Sequence, residues 1–184
     1  MVDYRKFCNL ESHLFNTVSR RFKRNKRLSA FDFFCIIIWK ANRAKSKIAK
    51  RILNHDRTSR SNLDTKVQEL KGGIVVREGC PKNQLAYLIE KWGFRLPMAS
   101  AILTVLYPQD FTVYDKRVCD ILGMDYNLQY RRKMNSIWDE YREYQEKVQR
   151  SAPHHLSLRD KDRHLWGKSF YGDLKEKIKN KFRR

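Results

Sequence analysis

The sequence predicts an all-α protein, built as a two-lobed helical bundle. Its 184 residues include only seven glycines and four prolines, and no repeated alternation of branched residues suggests a sheet. Apolar residues recur instead at helical spacing, bounded by residue types that begin and end helices. A chain of this length forms one domain with a real core, here divided into two lobes.

The first strong helical pattern runs from residue 29 to residue 53. Ser29 is a candidate N-cap, and the apolar residues that follow give way to a cationic second half. The preceding run RRFKRNKR, at 20–27, is either an arm that binds phosphate or a solvated charged face. We therefore predict a helix that is half buried and half basic.

A polar stretch at 54–62 marks the boundary between the predicted lobes. Lobe A comprises about 1–54 together with about 151–184, and lobe B comprises about 63–150. Both belong to the single domain that spans the chain.

Lobe B contains most of the predicted helices. They cover 66–71, which ends at the glycine pair 72–73, 81–92, which Gly93 stops, 97–106, 115–123 and 130–150. After a break at 151–155, Ser157 caps a last helix whose Leu158, Leu165 and Trp166 return to the core. The tail, 175–184, is basic.

The charge of the chain predicts a polyanionic partner. Forty lysines and arginines oppose twenty carboxylates, a formal net charge of +20. A surplus of this size favours nucleic acid over the alternative of a cytosolic enzyme with a merely basic surface, with an anionic membrane third and a basic RNA-associated protein as a further possibility. We expect a monomer that is cytoplasmic and associated with the nucleoid.

Other classes of partner have less support. The longest apolar run, 33–39, is far too short to cross a membrane, so no membrane partner is expected. The four cysteines are scattered without the spacing of a zinc or iron–sulfur site, and the pair His154-His155 lacks a third ligand. We predict neither a metal nor a cofactor.

Two stretches of lobe B carry a resemblance to a known family. WGFRLPMASAIL, at 92–103, and TVYDKRVCDILG, at 112–123, resemble the helix-hairpin-helix DNA glycosylase superfamily, whose pattern is a leucine-proline-glycine-x-glycine hairpin, an alanine-rich helix and a turn with an essential aspartate. The resemblance from Leu85 to Leu122 covers about a fifth of the chain. IIIWKANR, at 36–43, and LSLRDKDRHLW, at 156–166, are more weakly similar to a bacterial-type subgroup.

The chain departs from the family pattern at two positions. Arg95 stands where the second hairpin glycine is usual, so close backbone approach to a phosphate is replaced by a cationic side chain. Pro97 stands where lyase-active members carry the lysine that forms a Schiff base, although the spacing from Pro97 to Asp115 equals the family's lysine-to-aspartate spacing. The resemblance therefore implies a monofunctional glycosylase, unless a lysine elsewhere, such as Lys40 or Lys116, supplies lyase chemistry.

Asp115 is the candidate catalytic residue that the resemblance implies. Cleavage of an N-glycosidic bond develops positive charge on the sugar, which a carboxylate stabilises while it orients or deprotonates water. The alternative is that Asp115 only caps the following helix, since aspartate is a preferred N-cap. Both interpretations remain open at the level of sequence.

The remaining candidate residues follow from the same resemblance. The resemblance implies double-stranded DNA as the partner, with contacts from Lys91, Gly93, Phe94, Arg95, Lys116 and Arg117. A flipped base needs a pocket, for which Trp39, Lys40, Arg43 and Tyr114 are candidates. Trp92, Trp138 and Trp166 are further aromatic candidates, although burial in a core is the commoner use of such residues. Tyr141 and Tyr144, at helical spacing among charges, indicate a solvated helix face.

The predicted function is excision of a damaged or modified base from DNA by a monofunctional glycosylase. The alternative is a catalytically inactive helix-hairpin-helix protein that binds DNA or senses damage.

Overall fold

The computed structural model describes residues 4–55, 62–127 and 133–182, and every regular element in those ranges is helical. The prediction of an all-α chain is confirmed. Contacts divide the chain into two compact units, Met1–Asp110 and Phe111–Arg184, which are described separately below. This division follows chain order, whereas the predicted lobe A joins both ends of the chain; the lobe assignment stays a prediction.

The first unit is a succession of helices. In chain order its elements are a 3-10 turn at Tyr4–Phe7, α1 at Leu10–His13, a π-helical stretch at Leu14–Ser19, α2 at Arg20–Asn25, α3 at Ala30–Ala41, a 3-10 turn at Asn42–Ala44, α4 at Lys45–Leu53, α5 at Leu63–Val75, α6 at Pro81–Ala86, a π-helical stretch at Tyr87–Lys91 and α7 at Leu96–Leu106. The π-helical stretches continue α1 into α2, and extend α6, without a break in the chain of helical residues.

The predicted helix at 29–53 is two helices. Its start is as expected, because Ser29 and Asp32 form a capping box in which each side chain bonds the other's backbone N–H. Ala41 then leaves helical geometry, at φ −158° and ψ 75°, so the apolar half becomes α3 and the cationic half becomes α4. The polar boundary that follows lies partly outside the described residues.

The prediction that a helix ends at Gly72-Gly73 is wrong, because α5 continues through both glycines to Val75. A Cβ on Gly73 would lie 2.0 Å from the ring of Tyr87. The glycine therefore serves the packing of α5 against the π-helical stretch. Such a requirement depends on a residue remote in sequence.

Helix α7 lies in the core of the first unit. All its residues except Pro97 are buried, and it contacts α3, α6 and both π-helical stretches. Its polar residues are satisfied within the helix: the Thr104 hydroxyl donates to Ser100 O at 2.7 Å, and the Ser100 hydroxyl to Pro97 O at 3.3 Å. Burial of unpaired hydroxyls is thereby avoided.

The second unit begins with an extended segment, 111–115, followed by three helices in the described ranges: α8 at Lys116–Leu122, α9 at Met134–Ser151 and α10 at Leu158–Lys179. Gly123 ends α8 in the left-handed region, at φ 63°, and the Ser157 side chain caps α10, both as predicted. The predicted start of α9 at 130 lies outside the described residues.

The last helix differs from its prediction at one position. Leu165 is buried, as expected, but Trp166 is 42% exposed and does not return to the core. No helix within 4–55, 62–127 or 133–182 is long and apolar enough to span a membrane.

Candidate active site and nucleic-acid interface

The link between the α6 extension and α7 is a tight four-residue turn, Trp92 to Arg95. Gly93 takes φ +65°, a conformation that side chains rarely adopt, and Phe94 N–H donates to Leu88 O at 3.1 Å. The positive φ and this hydrogen bond reverse the chain directly after the helix. The helix therefore ends before Gly93, as predicted, and the chain turns at this glycine.

Two side chains from α4 and the residues after it hold this turn. The Arg51 guanidinium donates to Gly93 O at 2.5 Å, and His55 Nε2 lies 2.6 Å from Lys91 O. The His55 ring also stacks on Trp92, with centroids 4.2 Å apart. Trp92, which is 1% exposed, fixes the start of the turn to the core, and the two bonded carbonyls, Lys91 O and Gly93 O, lie on either side of it in sequence.

The predicted DNA-contacting residues of the turn differ in exposure. Lys91 and Gly93 are exposed; Lys91 also pairs with Glu69 at 3.4 Å. Arg95 is exposed at the N-cap position of α7, where its positive charge opposes the helix dipole. The Phe94 side chain is 2% exposed and packs near Phe33, so its part is to anchor the turn.

Asp115 ends the extended segment that opens the second unit, and it begins α8. Its Oδ1 accepts a hydrogen bond from Arg117 N–H at 3.0 Å, which is an N-cap bond. A carboxylate has about four lone-pair sites, so capping leaves acceptor capacity for a second role. The geometry is compatible with both interpretations of this residue.

Two buried tyrosines of α9 position the segment that carries Asp115. The Tyr141 hydroxyl donates to Thr112 O at 2.6 Å and accepts from Thr112 N–H at 3.2 Å. The Tyr144 hydroxyl donates to Val113 O at 2.7 Å and hydrogen-bonds the backbone of Asp115. The two hydroxyls thus hold the segment through the backbone groups of Thr112, Val113 and Asp115.

The prediction that Tyr141 and Tyr144 lie on a solvated face is wrong. Both are fully buried, and burial raises the pKa of each phenol well above its usual value, so both stay protonated donors. Their spacing correctly predicts a helix. The charged residues between them led to the wrong prediction of which helix face is buried. The apolar period Ile137, Tyr141, Tyr144, Val148 is the signal that indicates the buried face.

Lys116 and Arg117 both have acidic partners. Lys116 Nζ lies 2.8 Å from both carboxylate oxygens of Asp120, one turn along α8. Arg117 lies 3.4 Å from Asp173 Oδ2. With α10 these two residues line an open cleft of about 660 Å³, which Asp120, Lys168, Asp173 and Glu176 also border.

The predicted pocket residues lie in both units. Trp39 and Lys40 are half-buried near the end of α3, with Trp39 edge-on to Phe15, and Arg43 is exposed in the following 3-10 turn. Tyr114 is fully buried, stacks on Tyr126 with centroids 5.0 Å apart, and donates to Asp125 O at 3.2 Å.

Comparisons with protein-family models, with curated proteins and with solved structures found no match to this chain. Its functional assignment therefore depends on its own residues and on the resemblance of two short stretches.

We expect Tyr144→Phe to lower the free energy of unfolding by about 1–3 kcal/mol, because Val113 O and the Asp115 backbone lose a buried partner. The matched control is Tyr171→Phe, which removes a hydroxyl from a side chain that is 68% exposed. Urea unfolding of both variants measures the difference. Equal stabilities would show that the Tyr144 hydroxyl does not hold the segment.

Proposed function

We propose that this chain is a helix-hairpin-helix DNA glycosylase of the monofunctional type, which cleaves the N-glycosidic bond of a flipped, damaged or modified base. The observation that carries the proposal is the placement of Asp115: it ends a segment held by two buried tyrosine hydroxyls, and it lies in the family's register after a glycine-reversed turn. In a protein that only binds DNA, a carboxylate at the binding surface would repel the phosphates, so its presence favours a role in chemistry.

The turn at Trp92–Arg95 supplies phosphate binding in this proposal. Gly93 has no side chain, and the atoms of Arg51, which bonds Gly93 O, come no closer than 3.9 Å to the position a Cβ would take, so this side of the turn has room for a phosphate. Arg95, with its cation at the start of an 11-residue helix, would place a guanidinium on the same phosphate that the helix dipole attracts. The arginine thereby replaces the donor that the usual second glycine exposes.

Asp115 carries the chemistry in this proposal. As the bond to the base breaks, electrons leave with the base and the sugar acquires oxocarbenium character, which the carboxylate stabilises. The same carboxylate accepts a proton from the water that attacks the anomeric carbon. That proton then passes to the departed base, which left with the bonding electron pair, so the products are a neutral free base and an intact strand with an abasic site.

The test is a panel of duplexes that carry different damaged, deaminated or modified bases. Each is incubated with the protein and then treated with alkali, which cuts the strand wherever a base has been removed. Base release from at least one duplex is the expected result. Failure on every duplex, by a preparation that binds DNA, would contradict the proposal.

A catalytically inactive DNA-binding protein is the second candidate. The observation that favours it is the capping bond from Arg117 N–H to Asp115, because a cap accounts for an aspartate at this position without any chemistry. The departures at Arg95 and Pro97 favour it as well. The panel and the Asp115 variant described below separate the two candidates.

We expect excision to leave the abasic strand uncut until alkali is added, because Pro97 has no amine to form a Schiff base. Trapping with borohydride, followed by gel analysis, should detect no covalent adduct between protein and DNA. An adduct would overturn this expectation, and mapping it would identify the lysine; Lys40 and Lys116 are the first residues to examine.

A further inference from the structure

Helix α10 exposes an apolar and aromatic face. Its side chains, with that of the residue just beyond its end, are largely exposed: Trp166 42%, Phe170 45%, Tyr171 68%, Leu174 38%, Ile178 59% and Phe182 64%. Residues 166, 170, 174 and 178 recur every four positions, so they follow one side of the helix. Exposed apolar area of this continuity marks a binding surface in a monomer.

Two of these aromatic rings are held parallel. Trp166 and Phe170 are stacked with an interplanar angle of 7° and centroids 5.6 Å apart. The Arg117 guanidinium lies 5.7 Å from the first centroid and 5.6 Å from the second, and it is bonded to Asp173. Cation–π contacts and the ion pair therefore fix the orientation of rings that still face solvent.

Two glycines lie within the continuous helix α10, each directly after an aromatic residue in the sequence. Gly167 follows Trp166 and Gly172 follows Tyr171, and nothing lies within 4 Å of the position a Cβ would take at either glycine. A glycine inside a helix costs about 1 kcal/mol relative to alanine, and no packing in the described residues requires these two. The two glycines leave the surface of α10 open at these positions.

The net charge of α10 indicates which class of partner can bind its aromatic face. Between 163 and 182 the sequence has six lysines or arginines and two carboxylates. A second copy of the same face would be repelled by its own charge, whereas a polyanion is attracted. The bases of a duplex are already stacked on each other, so exposed aromatic rings suit a strand whose bases are unpaired.

We propose that the aromatic face of α10 binds single-stranded DNA, with unpaired bases stacked on Trp166, Phe170 and Tyr171 and the neighbouring lysines at the backbone. The choice of DNA over RNA rests on the proposed function, since Arg117 joins the rings to the helix that begins at Asp115. The surface itself depends only on α10 and Arg117. It would retain the strand that base flipping or fraying leaves unpaired.

The test measures binding of a fluorescent 12-nucleotide oligothymidylate by anisotropy. Replacing Trp166 and Phe170 together by leucine removes both ring faces but keeps apolar area and helix propensity. Loss of one stacked base corresponds to about a tenfold or greater weakening of binding. Tryptophan quenching by the oligonucleotide should also disappear with Trp166→Leu.

The matched control is Phe31→Leu, which replaces a 59% exposed aromatic side chain in the other unit and should bind like the unmodified protein. A thermal melt verifies folding. If the double variant does not fold, Tyr171→Leu, whose parent residue is 68% exposed, replaces it in the test with the same expectation.

Three results would overturn the proposal. The double leucine variant could bind the oligonucleotide as the unmodified protein does. An oligouridylate RNA of the same length could bind more tightly than the DNA. Vesicles that contain anionic phospholipid could compete with the oligonucleotide and bind the leucine variant equally well, which would make the face a membrane surface. Oligonucleotide binding as expected, with no excision from any duplex, would instead leave this surface standing and overturn only the proposed function.

Discussion

Asp115→Asn should reduce single-turnover excision about a hundredfold or more, because a preorganised charge aimed at a developing cation contributes about 3 kcal/mol or more to the transition state. Affinity for DNA should stay equal or become tighter, since the lost carboxylate repels phosphate in the ground state. Stability should change little, because asparagine caps a helix about as well as aspartate and the amide oxygen can still accept from Arg117 N–H.

The matched control is Asp120→Asn, which removes a carboxylate from the same helix. Asp120 is exposed and pairs with Lys116, and its substitution by asparagine removes one negative charge, as Asp115→Asn does. Only the Asp115 variant should lose excision. Full activity in Asp115→Asn would leave this residue as a cap and move the search to another site; equal loss in both variants would indicate a general charge effect.

Local signals in the sequence predicted the ends of several helices. Ser29, Ser157, Gly93 and Gly123 act on backbone groups within a few residues of themselves, so their roles do not depend on the rest of the fold. The turn that Gly93 forms was predictable for the same reason. Asp115 as an N-cap was likewise visible in its residue type and its position before a helical pattern.

Contacts between residues remote in sequence accounted for the errors at Gly73 and Trp166, whereas the buried face of α9 had a local signal in its apolar period. The sequence around Gly73 predicts the end of a helix. In the structure the ring of Tyr87, fourteen positions later, occupies the space that a side chain at this position would fill. Trp166 reads as a core residue, but its partners are Arg117 and Phe170, which leave it in solvent. Neither outcome has a signal within the local window.

The supports of the candidate site were hidden for the same reason. Arg51 and His55 hold the carbonyls of a turn about forty residues away, and the sequence showed them only as part of a basic helix and a polar stretch. Tyr144 reaches Val113 across 31 positions. The position of the candidate residue Asp115 at a helix start was therefore easier to predict than the residues that hold the segment before it.

Binding to duplex DNA should weaken steeply with salt, because each phosphate that a cation neutralises releases counterions with a slope of about 0.9 in log–log form. For about six phosphate contacts, affinity should fall roughly a thousandfold between about 50 and 200 mM salt. Arg95→Gln should reduce the slope by about one unit. Titrations over a salt series, with duplexes of several sequences, measure both quantities.

Lys82→Gln is the matched control, since it removes the same charge from the start of α6. The helical residues 81–91 extend about 16 Å at about 1.5 Å per residue, so Lys82 lies at the opposite end of the helix from the turn. Its substitution should leave the slope unchanged, whereas Lys91→Gln, next to the turn, should reduce it as Arg95→Gln does. If all three variants keep the slope of the unmodified protein, the turn does not contact phosphate. A flat salt dependence of the unmodified protein would remove the electrostatic argument for DNA as partner, because a net charge of +20 then acts on nothing in the complex.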